Sequence, residues 1–125
     1  MAIKGIQVVS IPVSDQERAK TFYVETLGFE ARADATFPQD GRQQRWIEVA
    51  PKDGTTTFTL VTWFPQMPAG SLQGVVLTSD DIEGDYAALK ARGLSFDGEI
   101  QQAPWGTFAT FSDPDGNGFV LQENR

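Results

Sequence analysis

One structural pattern is written twice in the 125-residue chain, and that duplication restricts the fold more than any other feature. In GIQVVSIPVSDQERAKTFYVETLGFE, residues 5–30, Val9, Ile11 and Val13 alternate as on one face of a strand. Ser14 with Glu17 has the spacing of a helix capping box, Ala19, Phe22, Tyr23 and Leu27 recur at helical spacing, and Gly28 supplies a left-handed stop. Residues 73–96, QGVVLTSDDIEGDYAALKARGLSF, repeat this order, with Asp80 and Glu83 as a second cap pair, Ile82, Tyr86 and Leu89 on one helical face, and Gly93 as the stop. With Gln7 laid on Gln73, Val9 meets Val75, Ile11 meets Leu77, Asp15 meets Asp81 and Glu17 meets Glu83.

Three strand-like runs follow each helix, at about 29–35, 43–50 and 56–63, then 94–99, 105–112 and 117–123. Asp-Gly pairs at Asp40–Gly41, Asp53–Gly54, Asp97–Gly98 and Asp115–Gly116 mark turns between them. Each half therefore reads as βαβββ, an α+β class. The first module covers about 1–66, PQMPAG at 65–70 is the linker, and the second module covers about 71–125, all within a single domain.

The residue types exclude several chemistries. Without cysteine or histidine the chain has no disulfide, no thiolate nucleophile, no imidazole base and no zinc site built on those ligands. Seventeen acidic against ten basic side chains give a net charge of −7, with no concentrated basic patch, so nucleic acid is not an expected partner. No apolar run approaches membrane-spanning length and MAIKGIQVV does not resemble a secretory signal, so a cytoplasmic location is expected, without membrane association.

Two βαβββ halves, with VSDQERAKTFYVETLGFE in the first and DPDGNGFVLQE near the end of the second, resemble the vicinal oxygen chelate superfamily over essentially the whole chain. That superfamily includes glyoxalase I, bleomycin-resistance proteins, fosfomycin-modifying enzymes and extradiol dioxygenases. The resemblance implies eight strands curled around a cleft, a divalent metal in many members, and pairing of chains as homodimers. It implies little about the reaction, since one scaffold carries many chemistries. The family's metal-ligand positions, carried over by counting from Asp15, Asp81 and Gly116, fall on Val8, Gly74 and Val120, with the remaining one near Thr59. Valine and glycine offer no side-chain lone pair, so neither a metal nor any other cofactor is expected. Gln7, Gln73, Glu48 and Glu123 offer oxygens one register away, and the glutamines should face away from the cleft because side chains alternate across a strand.

If Val8 and Gly74 mark cleft-facing positions, period two brings Ser10, Pro12, Thr57, Thr59, Val61, Trp63, Val76, Thr78, Gly118, Val120 and Gln122 to the same side. Trp46 and Trp105 are further candidates for a stacking wall, and each tryptophan could equally serve a core or a dimer interface. Glu48 is the best candidate for a general base, although ordinary alternation favours a solvent-facing carboxylate there; Arg42 and Arg45 could meet an acidic ligand or form solvated faces. Three functions are compatible with these features. The first is a metal-independent protein that sequesters a small organic molecule, as the resemblance to bleomycin-resistance proteins implies. The second is a lyase, isomerase or dioxygenase working through non-standard residues such as Glu48, and the third a dimeric interaction module with a vestigial cleft. The final turn, Asp113 to Gly116, matches type I preferences and leads to a last strand whose Val120 and Gln122 would form a cleft wall.

Overall fold

The computed structural model describes all residues, 1–125. In chain order the elements are β1 (Val8–Pro12), α1 (Gln16–Thr21) running on as a π-helical turn (Phe22–Thr26), β2 (Glu30–Gln39), β3 (Arg42–Ala50), β4 (Thr57–Val61), β5 (Val75–Thr78), α2 (Ile82–Ala91), β6 (Gln101–Ala103), β7 (Gly106–Ser112) and β8 (Gly118–Asn124). They form two four-stranded sheets of identical topology, β1-β4-β3-β2 and β5-β8-β7-β6. In each, the first strand pairs in parallel with the last and the other pairings are antiparallel. The α+β duplication expected from the sequence is therefore present at the level of hydrogen bonding. No helix is long and apolar enough to cross a membrane.

Alternation decides what each sheet buries. Ile11 on β1 and Val13 just after it, Ile47 and Val49 on β3, and Phe58 and Leu60 on β4 turn to the face covered by α1, while Phe111, Phe119 and Leu121 do the same under α2. These faces share one core of 15 buried residues drawn from both halves. Across the seam, the Phe119 ring lies 6.0 Å from Tyr23 and 6.3 Å from Phe58, each in an edge-to-face arrangement. Burial of side chains of this size stabilises the fold by about 1.5–3 kcal/mol each, so neither half keeps its full core without the other.

The turn before β8 fastens this seam. Asp113, 5% exposed, accepts hydrogen bonds at Oδ2 from the Tyr23 hydroxyl (2.7 Å) and Asn117 Nδ2 (2.8 Å), and at Oδ1 from the backbone N–H groups of Asp115 and Asn117 (2.9 Å each). Asn117 Nδ2 also donates to the Pro12 carbonyl at 2.8 Å, and the Ser14 hydroxyl donates to Asp115 Oδ1 at 2.6 Å. The expected reverse turn is closed by Gly116 N–H donating to the Asp113 carbonyl at 3.0 Å. Most of its polar atoms thus serve the junction between halves.

Several sequence expectations shift in detail. The helix caps are Asp15, accepting from Arg18 N, and Asp81, accepting from Gly84 N, one residue later than the expected Ser14 and Asp80. Ser14 is drawn away because its hydroxyl serves Asp115, and Glu17 turns outward to Arg45 instead of back to the chain. Gly28 and Gly93 follow the helices with positive φ, as expected of left-handed stops. β2 extends to Gln39, beyond the expected end at 35, because Asp40 and Gly41 both adopt positive φ and make a two-residue hairpin turn into β3. The run at 94–99 is not a strand: only Phe96 bridges to Phe111, and the ladder forms at Gln101–Ala103. Asp97 N–H and side chain are taken by the Thr110 carbonyl and hydroxyl, which turns the chain at Asp97–Gly98 before it can pair.

Candidate functional site

The faces opposite the core carry the candidate residues, in two groups. On the first sheet, strand register sets Ser10 beside Thr59 and Thr59 beside Glu48, a row of three oxygen-bearing side chains across β1, β4 and β3. The row before it pairs Val8 with Thr57; the row after it pairs Pro12 with Val61 and continues toward Trp46. Trp46 is joined by Trp63 at 6.3 Å and by Phe37 at 6.1 Å, and Phe37 lies 5.6 Å from Trp63. Thr57, Thr59, Val61 and Pro12 are closed off beneath this layer, whereas Ser10, Trp46 and Glu48 remain half-buried.

Because Ile47 and Val49 fill the core, alternation leaves Trp46 and Glu48 to the opposite, outward face, where Glu48 is half-buried. Its Oε2 accepts from the Trp46 indole N–H at 2.6 Å and its Oε1 from the Thr57 hydroxyl at 2.7 Å. These two donors, the Thr57 hydroxyl foremost, hold the carboxyl below its usual range against the opposing effect of burial. A carboxylate held in its charged form is a weak proton acceptor for general-base work, and a fixed hydrogen-bond acceptor for binding. Between Ser10 and Glu48, the Thr59 hydroxyl is buried and has no hydrogen-bond partner.

On the second sheet, Val76 pairs with Val120, Thr78 with Gln122, and Gln122 in turn with Phe108. Trp105 is 60% exposed and stacks beside Phe108 with ring centres 6.5 Å apart. Val76, Trp105, Phe108, Val120 and Gln122 line one notch of about 170 Å³. Gly118, at the start of β8, pairs with Ser112 and is half-buried. None of the chain's cavities has lining residues from both the Trp46–Trp63 face and the Trp105–Phe108 face.

The remaining sequence candidates sit elsewhere. Gln73 donates to the Gly70 and Gly116 carbonyls, and Glu123 accepts from the Ile82 N–H at the start of α2, so neither joins the row containing Glu48. Gln7 is exposed, and its backbone carbonyl accepts from Thr57. Arg45 is occupied by Asp34 (2.6 and 2.8 Å) and Glu17 (2.8 Å), and Arg42 lines a polar notch at the edge of the first aromatic group, with Gln39, Asp40, Gln44, Thr62 and Trp63. Phe37 and Phe108 escaped the sequence reading. Phe37 fell beyond the expected end of its strand; Phe108 shares period two with Thr110 and Ser112 and could have been found by extending the cleft alternation to β7.

Of the positions that the resemblance suggests for a metal, Val8, Gly74 and Val120 with one near Thr59, only the threonine has a side-chain oxygen. No group of three or more acidic side chains lies close enough together to bind an ion. These residues do not offer the oxygen donor set that a divalent cation needs.

Comparison with known proteins matches this architecture. At 50% identity, over 100% of this chain and 99% of the other, it is similar to TnmS3, an antibiotic binding protein from Streptomyces sp. CB03234, with a TM-score of 0.90. A protein from Sphaerobacter thermophilus DSM 20745 described as a member of the Glyoxalase/bleomycin resistance protein/dioxygenase superfamily is 35% identical over 99% of this chain and 100% of its own, with a TM-score of 0.88. The protein YetH of Bacillus subtilis (strain 168) is 42% identical over 97% of this chain and 99% of its own length. The family model for the Glyoxalase/Bleomycin resistance protein/Dioxygenase superfamily matches residues 5–121, and with two βαβββ sheets in the same order the chain belongs to that superfamily.

Proposed function

We propose that this protein binds and sequesters a small organic molecule with an aromatic or otherwise flat apolar body, without a metal ion. The observation that carries this reading is the pair of aromatic platforms on the faces turned away from the core: Phe37, Trp46 and Trp63 on one sheet, Trp105 and Phe108 on the other. Ring faces left at a sheet surface give apolar area and stacking geometry, and a few fixed polar groups orient what stacks there. The similarity to TnmS3, described as an antibiotic binding protein, supports the same direction. Ser10, Pro12, Thr57, Thr59, Val76, Thr78, Val120 and Gln122 complete the two walls. Because the walls share no cavity within one chain, we place the closed cleft between two copies, the first half of one facing the second half of the other, in an isologous homodimer.

The enzymatic reading is weaker, because the carboxylate it would use, Glu48, is held charged by two donors and has no imidazole beside it. A thermal-shift screen of aromatic natural products and antibiotics tests the proposal. A ligand at about 100 times its dissociation constant stabilises by about 2.7 kcal/mol, a shift of several degrees. That shift should shrink in Trp63→Ala and Trp105→Ala, and sedimentation should show a dimer. A broad screen without a single stabilising compound would end this reading.

A further inference from the structure

The polar spot in the first aromatic wall has a direction. The Trp46 N–H and the Thr57 hydroxyl both point at Glu48 and the Thr59 hydroxyl is buried, so of the neighbouring donors only the Ser10 hydroxyl is left to face a ligand. The larger open capacity is for accepting. A carboxylate accommodates about four hydrogen bonds, and Glu48 receives one on each oxygen from within the chain. Glu48 belongs to none of the chain's ion pairs, so no basic side chain neutralises it. It is half-buried, so its free lone pairs can be reached from the cleft side. Ser10, in the same row, makes no hydrogen bond with its hydroxyl and can accept as well as donate.

We infer that Glu48, with Ser10 beside it, reads a hydrogen-bond donor on the bound molecule, so that the cleft takes aromatic compounds carrying an O–H or N–H group at the ring edge and discriminates against acceptor-only analogues of the same shape. This rests on the cleft being a ligand site and adds the ligand's chemical class. The physical cause is twofold. A donor gains a charge-assisted bond to a carboxylate whose position is fixed by two others. An ether or carbonyl oxygen in the same place meets that charge head-on and strips water from it without replacement. The Trp46 ring is pinned by the same hydrogen bond, so stacking and donor recognition are set by one group.

Three probes of nearly equal size separate the contributions: 2-naphthol, 2-naphthylmethylamine as its ammonium form, and 2-methoxynaphthalene, each titrated against the full-length protein by quenching of tryptophan fluorescence and by calorimetry. The donors should bind about tenfold or more tighter than the ether, the ratio expected of one charge-assisted hydrogen bond. Glu48→Leu should bring the probes to within about threefold of one another, and Glu48→Gln, which keeps one acceptor and the side-chain volume, should fall between. Circular dichroism of both variants reports whether the fold is retained, and the Gln variant carries the test if the Leu variant unfolds. Preference for ammonium over naphthol would mark a cationic ligand; parity would mark a neutral hydroxylated one. Equal binding of all three probes to the wild type, or a preference that persists in both variants, would overturn the inference while leaving the cleft a ligand site. Failure of every probe together with failure of the broad screen would remove both.

Discussion

Removing one oxygen from the seam between the halves should measure how strongly they are fastened. In Tyr23→Phe the ring stays, together with its packing 5.1 Å from Phe22, 5.9 Å from Phe29 and 6.0 Å from Phe119, and only the hydroxyl bonded to Asp113 at 2.7 Å is lost. A hydrogen bond to a charged acceptor contributes about 1.5–3 kcal/mol. Asp113 keeps three other donors, so the cost should fall at the lower end, about 1–2 kcal/mol, or roughly 3–8 °C in Tm for a chain of this size. Asp113→Ala is the opposite case. It strands the Tyr23 hydroxyl and one N–H of the Asn117 amide, both on side chains 0% exposed, and two turn N–H groups, and should cost about 3–5 kcal/mol. Urea denaturation of both variants at constant m-value is the assay. Spectroscopic titration adds a second readout, because burial and then the Asp113 charge raise the Tyr23 hydroxyl far above its ordinary range. The folded state keeps the proton that the unfolded state releases near pH 10, so this stability is complete below pH 10 and is lost as pH rises beyond it. One of the two tyrosines should therefore stay protonated until the chain unfolds. If Tyr23→Phe is as stable as the wild type and Asp113→Ala costs no more than a surface change, the seam is held by apolar packing alone and this account of the DPDGNG turn fails.

Three further outcomes are expected. Thr59→Val removes a buried hydroxyl that has no partner, so stability should be unchanged or rise by up to about 1 kcal/mol, against a loss if the hydroxyl were bonded; chemical denaturation decides. Asp34, bonded by Arg45 first and Lys20 second, has its carboxyl held below the usual range, so its contribution is present above about pH 4 and is lost as pH falls. Asp34→Asn should cost no more than about 1 kcal/mol at pH 7, less in high salt, and progressively less as pH falls below about 4, as comparison of melting curves would show. Gly70, at φ +84°, sits where a Cβ would collide with the Asp115 carbonyl, so Gly70→Ala should cost about 2–3 kcal/mol by the same denaturation assay, whereas alanine at exposed Gly5, with no atom nearby, should be silent.

Local chemistry made much of the architecture legible. The strand-helix repeat, the glycine stops, the Asp40–Gly41 hairpin and the turn at Asp113–Gly116 depend on residues within a few positions of one another, and those segments fold as their own sequence directs. Alternation likewise supplied the register that sets Ser10, Thr59, Val76 and Val120 opposite the core. Where a distant partner competes for a side chain, the local signal misleads. Ser14 looks like a cap until Asp115, 101 residues away, takes its hydroxyl, and Phe96 looks like part of a strand until Thr110 captures Asp97. The same limit hides the committed state of Glu48, whose two donors come from its own strand and from β4.

The sequence by itself determined a duplicated α+β fold of this superfamily, because the repeat follows from residue types at short, fixed spacing. Only the tertiary structure decided that Asp113 ties the two halves together and that Glu48 stands as a fixed acceptor in an aromatic wall. Those properties belong to pairs of groups, and a pair exists only after packing has brought distant strands within a hydrogen bond of each other.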